Sequence, residues 1–413
     1  MGRAPVSFAP FSLIGIRGRP SAGACACGGN PGVNHAFTVQ KIDSAAMDRC
    51  PARKTARGGP HRTDGPMTIL RTIRCLALRM LCLAVLCLAA TPPASAGTLE
   101  RVRAAGILRC GVTAAGLGLS ALDEAGVWRG FFPDLCRAVA IATLGRDDPV
   151  VFVEVGAENR FSVLRDRLVD VVMDAATWTQ EREHSQDVAF PVVYLFDTQA
   201  VMVHRALGIA ALPQAAGGSV CVVDGTMAAS GIDGWIARSG TRLMVKRFRS
   251  TEGALGAFFN HHCDLYTGHR LALHGQRAQS APSPQDYTIL PDAITRTPLS
   301  PMVRNDDRAW EAIIRWTVLA LLAAEEKGVT SANAAARKST GDAETRRLLG
   351  GVPGFGQDLG LDDGWALRVI GWVGHYGELY DRHLGRRSDL GIERGANALW
   401  NAGGLHQAPP LGG

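Results

Sequence analysis

"GGSVCVVDGT", residues 217–226, is the segment that decides the fold. Its central "SVCVV" is rich in β-branched residues and follows two glycines, which predicts a short buried strand. The "DGT" that follows it is typical of a turn into a helix. The same order occurs earlier, where the strand "GILRCGV" (106–112) precedes the helix "FFPDLCRAVAIATLG" (131–145). Two such sets of alternating strands and helices predict an α/β protein of two lobes, with helices covering each sheet.

Similar patterns extend both sets, and "TQAVMVHR" (198–205) lies between them. Further strands are predicted at 150–155, 171–175, 262–268 and 287–291, and further helices at 159–170 and 308–328. The helix at 308–328 has one apolar face, and Arg315 together with its short apolar run argues against a membrane span. We find no internal repeat and no Gly-rich phosphate loop.

The segment from residue 67 to residue 96 has the order of a secretory signal. Three arginines precede eleven apolar residues (80–90), and "ASA" precedes Gly97. An apolar run of eleven is too short to span a bilayer, which needs about 20 residues. We therefore expect a signal peptide at 67–96 that is cleaved after Ala96. Residues 1–66 show no periodicity, and we expect them to be either untranslated or disordered, with a membrane-anchored arm as the alternative.

Removing the signal changes the sign of the net charge. The whole chain is +6, but residues 1–96 hold 12 basic and 3 acidic side chains. The remaining 317 residues have 32 basic and 35 acidic side chains, a net charge of −3. Nucleic-acid binding, which a basic chain would favour, therefore loses its main support. A chain of this length is sufficient for two lobes of ordinary size.

Four cysteines remain after cleavage: Cys110, Cys136, Cys221 and Cys263. An even number in an exported chain indicates disulfide bonds, although four cysteines allow three connectivities. Their spacing groups them as 110 with 136 and 221 with 263, each pair within one set of strands and helices. We favour these two pairings over four buried free thiols.

Several motifs together resemble one protein family. They include "WRGFFPDLCRAVA", "RFSVLRDRLVDVVMDAATWT", "VCVVDGT", "HHCDLYT" and the terminal "ERGANALWNAGGLHQAPP". Over residues 98–410 the chain resembles the general L-amino-acid-binding proteins of ABC importers, which belong to the family 3 extracellular solute-binding proteins. The segment "GLDDGWALRVIGWVGHYGELYDR" in the C-terminal part is the most specific of these similarities.

The resemblance implies a two-lobed, type II clamp of the periplasmic-binding-protein kind, α/β in class, with a mixed sheet flanked by helices in each lobe. Lobe one would comprise residues 97–203, lobe two residues 204–298, and residues 299–413 would return to lobe one and add a helical extension. The implied partners are a small solute, an amino acid or related carboxylate, and an inner-membrane permease with its ATPase. The implied protein is a periplasmic monomer without cofactor, metal or catalysis, and it closes on its ligand.

Residues of the family motifs supply the candidate ligand contacts. They are Arg182, Thr177, Thr226, Ser120, His269 and Asp174. By resemblance, Arg182 meets the ligand carboxylate, Thr177 supplies a hydroxyl, and Thr226 is a donor at a strand-to-helix turn, where free amides favour anions.

Five of the pocket positions depart from the family pattern, among them Leu119 in place of an aromatic residue and Phe132 in place of an acidic one. Asp174 replaces a basic residue, Ala175 replaces an asparagine, and His269 stands where the family has an aspartate for the ligand's ammonium group. A histidine cannot supply that carboxylate, so we expect the ligand to be a carboxylate that lacks the ammonium group. Asp174 could restore amino-acid binding if it points into the cleft.

Other functions remain open. The histidines of "HHCDLYTGHRLALH" (261–274) could suggest a metal site, but we favour solvent-exposed histidines because their spacing is not that of a zinc site. Cyclohexadienyl dehydratases resemble this fold, and Asp174 with His269 could then act as base and acid. A ligand sensor would use the same clamp, and the sequence does not separate it from a carrier.

Overall fold

The computed structural model describes residues 97–147 and 149–412, so the predicted signal peptide and the segment before it lie outside the described residues. Its helices are α1 (Thr98–Ala105), α2 (Phe131–Leu144), α3 (Ser162–Arg165), α4 (Gln180–Ser185), α5 (Met227–Ser239), α6 (Thr251–Phe259), α7 (Arg270–Ser280), α8 (Arg308–Glu326), α9 (Ala334–Thr340), α10 (Ala343–Leu348), α11 (Trp365–Val373) and α12 (Tyr376–His383). Its strands are β1 (Leu108–Val112), β2 (Ala121–Leu122), β3 (Trp128–Arg129), β4 (Val150–Glu154), β5 (Val171–Met173), β6 (Val188–Ala189), β7 (Leu195–His204), β8 (Ser219–Val223), β9 (Met244–Phe248), β10 (Leu265–His269), β11 (Tyr287–Ile289), β12 (Arg296–Leu299) and β13 (Val303–Arg304).

The first sheet has the order β4-β1-β5, and both pairings are parallel. Helix α2, which connects β1 to β4 by way of the short β2–β3 hairpin, covers this sheet. It ends at Gly145, whose φ of +79° is a left-handed conformation that glycine adopts without strain. The alternation of strand and helix in the sequence therefore predicts the three strands of this sheet and helix α2.

The second sheet has the order β11-β7-β10-β8-β9, with β12 alongside the first part of β7. Strands β8, β9 and β10 are parallel, whereas β7 is antiparallel to β10, β11 and β12. This sheet is therefore mixed, as the resemblance implied for both lobes, whereas the three-stranded first sheet is parallel. The predicted lobe boundary after residue 203 falls at the end of β7, while most of this strand already pairs in the second sheet.

Both predicted disulfide bonds are present in the structure. Cys110 of β1 is bonded to Cys136 of α2, and Cys221 of β8 is bonded to Cys263 ahead of β10. Each bond therefore lies within one lobe and ties a central strand to the elements packed beside it.

The helix predicted at 159–170 is wrong over most of its length, because only Ser162–Arg165 is α-helical. Arg167 has a φ of +58°, which a helix cannot contain. The amides of Leu168 and Val169 then both bond back to the carbonyl of Val163, closing a tight turn into β5.

After β13 the chain returns to the first lobe through α8. The carboxylate of Asp307 accepts the Trp310 amide and so starts this helix. Helices α8, α11 and α12 pack against α2, and Trp310, Trp365 and Tyr376 are fully buried there. Across residues 97–147 and 149–412, no helix is both long enough and apolar enough to span a membrane.

Candidate functional site

A cleft of about 720 Å³ lies between the two sheets. Its walls are the segments that follow β1, β4 and β5 in the first lobe and β8, β9 and β10 in the second. The carboxyl ends of parallel strands are where α/β folds place their ligands, and the volume suits a small molecule. The cleft is therefore the candidate site.

Five of the six predicted ligand residues line this cleft: Ser120, Thr177, Arg182, Thr226 and His269. The sixth, Asp174, has no exposed surface and lies behind the wall of the cleft. One of its carboxylate oxygens accepts the amide of Ala176, and the other is 2.9 Å from Nη1 of Arg160. Asp174 therefore does not face the cleft. Its ion-pair partner Arg160 lines the cleft instead.

Arg160 is the main cleft residue that sequence analysis missed. It lines the cleft, and its side chain is only 11% exposed, so the ion pair with Asp174 is well shielded from solvent. A buried charge requires a partner, so the acid at position 174, within a strand predicted to be buried, was the signal that a cation had to lie nearby.

Arg182 stands beside Arg160 in the first lobe. Its Nη1 donates to the carbonyl of Thr177 at 3.0 Å, and its guanidinium carbon lies 5.9 Å from the centre of the Phe161 ring. Burial, and then the charge of Arg160, lower the pKa of Arg182. It forms no ion pair with any residue in the described part of the chain, so its charge is available to a ligand.

Two buried hydroxyl groups lie in the wall with these arginines. Ser120 is fully buried and Thr177 is 3% exposed, and neither hydroxyl has a hydrogen-bond partner among the described residues. Buried polar atoms are nearly always paired in folded proteins. Their position in the cleft leaves both hydroxyl groups able to hydrogen-bond to a molecule that enters it.

Thr226 begins α5 on the opposite wall. Its hydroxyl donates to the carbonyl of Val223 at 2.6 Å and accepts the amide of Ala229 at 3.3 Å. The hydroxyl is therefore used to cap the helix. What this turn offers to a ligand is the free backbone amides at the start of α5, which favour an anion.

His269 ends β10 where the two lobes meet. Its Nδ1 lies 3.3 Å from the hydroxyl of Thr297 and 3.9 Å from a carboxylate oxygen of Asp197. Burial, and then the charges of Arg160 and Arg182, lower its pKa to about 4. The imidazole is therefore neutral near pH 7.

The carboxyl group of Asp197 lies behind His269. It accepts the amides of Thr198 and Leu271, yet burial raises its pKa to about 7. Carboxylates that do line the cleft, Glu154, Glu158 and Glu252, are exposed at its rim. The inner cleft is thus cationic.

The histidines of residues 261–274 do not behave alike. His261 and His262 are exposed as predicted, but His269 and His274 are largely buried, and burial lowers the pKa of His274 to about 4. In the part of the chain that the structure describes, no three His, Cys, Asp or Glu side chains are grouped as metal ligands would be.

Comparison with known proteins identifies the family. The family model of bacterial extracellular solute-binding proteins, family 3, matches residues 108–331. The general L-amino acid-binding periplasmic protein AapJ of Rhizobium johnstonii is 36% identical over 320 residues, which are 77% of this chain and 94% of the relative. The glutamate/glutamine/aspartate/asparagine-binding protein BztA of Rhodobacter capsulatus is 39% identical over 324 residues, 77% of this chain and 94% of that protein.

One solved structure is also similar over most of its length. It is an ABC transporter/periplasmic binding protein from Brucella ovis with glutathione bound, with a TM-score of 0.75 and 37% identity. The match covers 76% of this chain and 99% of that one.

Proposed function

This chain belongs to the family 3 bacterial extracellular solute-binding proteins, and from that membership we propose that it is the solute-binding component of an ABC importer. It works in the periplasm, closes its two lobes on a solute and presents the closed form to a membrane permease that an ATPase drives. The relatives named for amino-acid binding, and the one solved with glutathione, support a solute derived from amino acids.

The observation that carries the proposal is the charge of the inner cleft. Asp174 neutralises Arg160, His269 is neutral, and Arg182 keeps an unpaired charge beside two unpartnered hydroxyls. A partly buried cation is stabilised by an anionic partner with hydrogen-bonding oxygens. We infer that the ligand carries one carboxylate group, which Arg182, Ser120 and Thr177 bind from the first lobe.

The acidic residues near the inner cleft indicate that the ligand lacks an ammonium group. No carboxylate of the described residues is free in the inner cleft, since Asp174 is engaged by Arg160 and Asp197 lies behind His269. An ammonium group placed there would lose water without gaining a counter-charge. The preferred solutes are therefore carboxylates without an α-amino group, such as the hydroxy- or keto-acid counterparts of amino acids.

The dehydratase alternative is not favoured. Its base was to be Asp174, whose carboxylate is held by Arg160 and the Ala176 amide outside the cleft. The relatives described above are solute-binding proteins. A ligand sensor on the same clamp would show the same binding, so the genes that neighbour this one would distinguish it from a carrier.

Calorimetry with L-amino acids, their keto- and hydroxy-acid counterparts and glutathione tests the proposal. We expect saturable binding of at least one carboxylate without chemical turnover, and weaker binding of α-amino acids by about tenfold to a hundredfold. Turnover of prephenate or arogenate would instead support the enzyme. Submicromolar binding of several L-amino acids that persists after Asp174→Ala would contradict the assignment of the pocket.

A further inference from the structure

The strand β7 carries the chain from the first lobe to the second, and its start is held by the first lobe. The hydroxyl of Tyr376 in α12 donates to the carbonyl of Tyr194 at 2.7 Å. Two residues on, the side chain of Asn397 accepts the amide of Phe196 at 2.7 Å and donates to its carbonyl at 2.9 Å. The C-terminal part of the chain therefore holds the backbone of residues 194–196.

The next residues of β7 are held by the second lobe. The carboxylate of Asp197 accepts the Leu271 amide of α7 at 3.1 Å. The side-chain amide of Gln199 donates to the carbonyl of Ala228 and to the hydroxyl of Thr267. Strand β7 is thus bonded to the first lobe up to Phe196 and to the second lobe from Asp197 onward.

Strand β12, which leads the chain back to the first lobe, also passes from contacts with one lobe to contacts with the other, at residues 297–298. The carbonyl of Pro298 accepts the Trp178 amide of the first lobe at 2.9 Å. One residue earlier, the hydroxyl of Thr297 contacts His269 of the second lobe. In the β7–β12 ladder Pro298 lies opposite Phe196 and Thr297 lies opposite Asp197. The points at which the two strands pass from one lobe to the other therefore lie side by side in the ladder, as expected of a hinge axis.

Asn397 lies beside β7 at this axis, on the side of the strand away from β12. Phe196 and Pro298 form a non-hydrogen-bonded pair of the ladder, so both backbone groups of Phe196 point away from β12, and both bond to Asn397, as they would to another strand. The carbonyl of Asn397 accepts from the guanidinium of Arg394 at 2.6 Å, and Arg394 also forms an ion pair with Glu325 of α8. We call Tyr376, Arg394 and Asn397 the C-terminal clamp.

The clamp also reaches the cleft arginine. Tyr194, whose carbonyl bonds to Tyr376, donates its own hydroxyl to the carbonyl of Asp174, and the Asp174 carboxylate holds Arg160. All of these side chains except Arg160 are fully buried. The same contacts that fix the hinge therefore also fix one wall of the ligand site.

We propose that the C-terminal clamp fixes the first-lobe side of the hinge, so that the lobes rotate about residues 196–197 and 297–298. Asn397 is then a positioning residue that sets how readily the cleft opens and releases its solute. This places the crossing earlier than the boundary predicted after residue 203. The inference rests on the proposed function only in taking lobe closure as the step that captures solute.

The variant Asn397→Ala tests this, with Asn333→Ala as the matched control. Asn333 also accepts one backbone amide and donates to one carbonyl, those of Thr330 and Gly328, in a first-lobe turn away from the hinge. In the ligand-free protein we expect hydrogen exchange of the amides at 197–199 and 297 to rise about tenfold in Asn397→Ala only. The Phe196 amide is left out because it loses its own acceptor.

Stopped-flow release of 2-oxoglutarate, the keto-acid counterpart of L-glutamate, and of reduced glutathione is the second readout, and we expect release about fivefold faster in Asn397→Ala than in Asn333→Ala. Equal exchange and equal release in the two variants would overturn the proposal. If neither probe binds the wild type, that failure concerns the ligand class alone, and the exchange data decide the hinge. If Asn397→Ala does not fold, the same comparison is made with Tyr376→Phe, which removes only one hydroxyl.

Discussion

The charge of the ligand site depends on three side chains, Arg160, Asp174 and Arg182. Asp174 was expected either to face the ligand or to act as a base, but in the structure it holds Arg160 in place. A carboxylate buried next to an arginine leaves little net charge, so the unpaired Arg182 decides the sign of the site. We therefore propose that this one positive charge pairs with one carboxylate of the solute.

Arg182→Gln should therefore weaken binding of a carboxylate solute by about tenfold to a hundredfold, because a charge-assisted hydrogen bond is lost. Arg165→Gln is the control, since Arg165 is exposed and bonds only to Gln186 at the surface. Calorimetry with the tightest carboxylate of the panel measures both. Equal affinities in the two variants would show that Arg182 does not contact the ligand.

Burial of neutral His269 should make the protein less stable in mild acid. Its pKa is about 4 in the folded protein and near 6.5 when unfolded, so between these values the unfolded chain binds more protons. The contribution of His269 to the free energy of unfolding is fully present above about pH 6.5 and is lower by about 2 kcal/mol at pH 5. Asp197, whose pKa is raised to about 7, has the opposite effect: its protonation increases the free energy of unfolding as the pH falls over the same range.

Urea denaturation at pH 7 and pH 5 tests this effect with His269→Gln, which cannot be protonated. The variant should lose about 2 kcal/mol less than the wild type on acidification. His262→Gln, at an exposed position, should behave as the wild type does. Identical pH profiles for His269→Gln and the wild type would contradict the assigned burial of the neutral ring.

Among the elements, helix α7 has an unusual glycine at its centre. A Cβ on Gly275 would lie 2.1 Å from the carbonyl oxygen of Leu117, which belongs to the first lobe. The Cβ would meet backbone atoms, so Gly275→Ala should force α7 and the Leu117 segment apart, against the packing of Leu271 and Ala272 on the first lobe. We expect weaker solute binding together with a lower melting temperature, although alanine favours the helix itself by up to about 1 kcal/mol.

Gly371→Ala is the matched control for that substitution. Gly371 lies within α11, away from the cleft, and no atom comes within 4 Å of a Cβ placed there. It should leave affinity unchanged. If Gly275→Ala binds as tightly as Gly371→Ala, then Leu117 and Gly275 do not need to touch in the liganded protein.

The disulfide bonds should stabilise each lobe separately. Their sequence separations are 26 and 42 residues, for which the chain-entropy model gives about 3.5 and about 4 kcal/mol. The double variant Cys221→Ser/Cys263→Ser should lose about 4 kcal/mol in urea denaturation. Peptide mapping that found Cys110 bonded to Cys221 or Cys263 would contradict the pairing.

The sequence predicts elements well where one local pattern dominates. The β-branched run of β8 and the apolar face of α8 identify both elements within a few residues. It fails at 159–170, where apolar spacing indicates a long helix but Arg167 adopts a positive φ. That error hid Arg160, and the partner of Asp174 could not be predicted because their contact joins separate parts of the chain. The contact of Asn397 with Phe196 is still more remote, because the two residues are 201 apart in the sequence.

For the whole molecule, we expect the exported protein to begin at Gly97. Helix α1 starts one residue later, and the Thr98 amide donates to Asp307 at 2.6 Å, so the chain enters the fold directly. The intact mass of protein recovered from the periplasm measures this. A mass that retains any of residues 67–96 would show that cleavage occurs elsewhere.

The packing of α11 and α12 on α2 limits how the protein can be shortened. The family model ends at residue 331, which makes that residue an obvious place to cut. Cutting there would remove Trp365, Tyr376 and Tyr380, which are buried against the first lobe, and leave an apolar surface in contact with water. Such a fragment should aggregate and be degraded by proteases. Fluorescent reporters intended to sense the solute should therefore be fused outside residues 97–412.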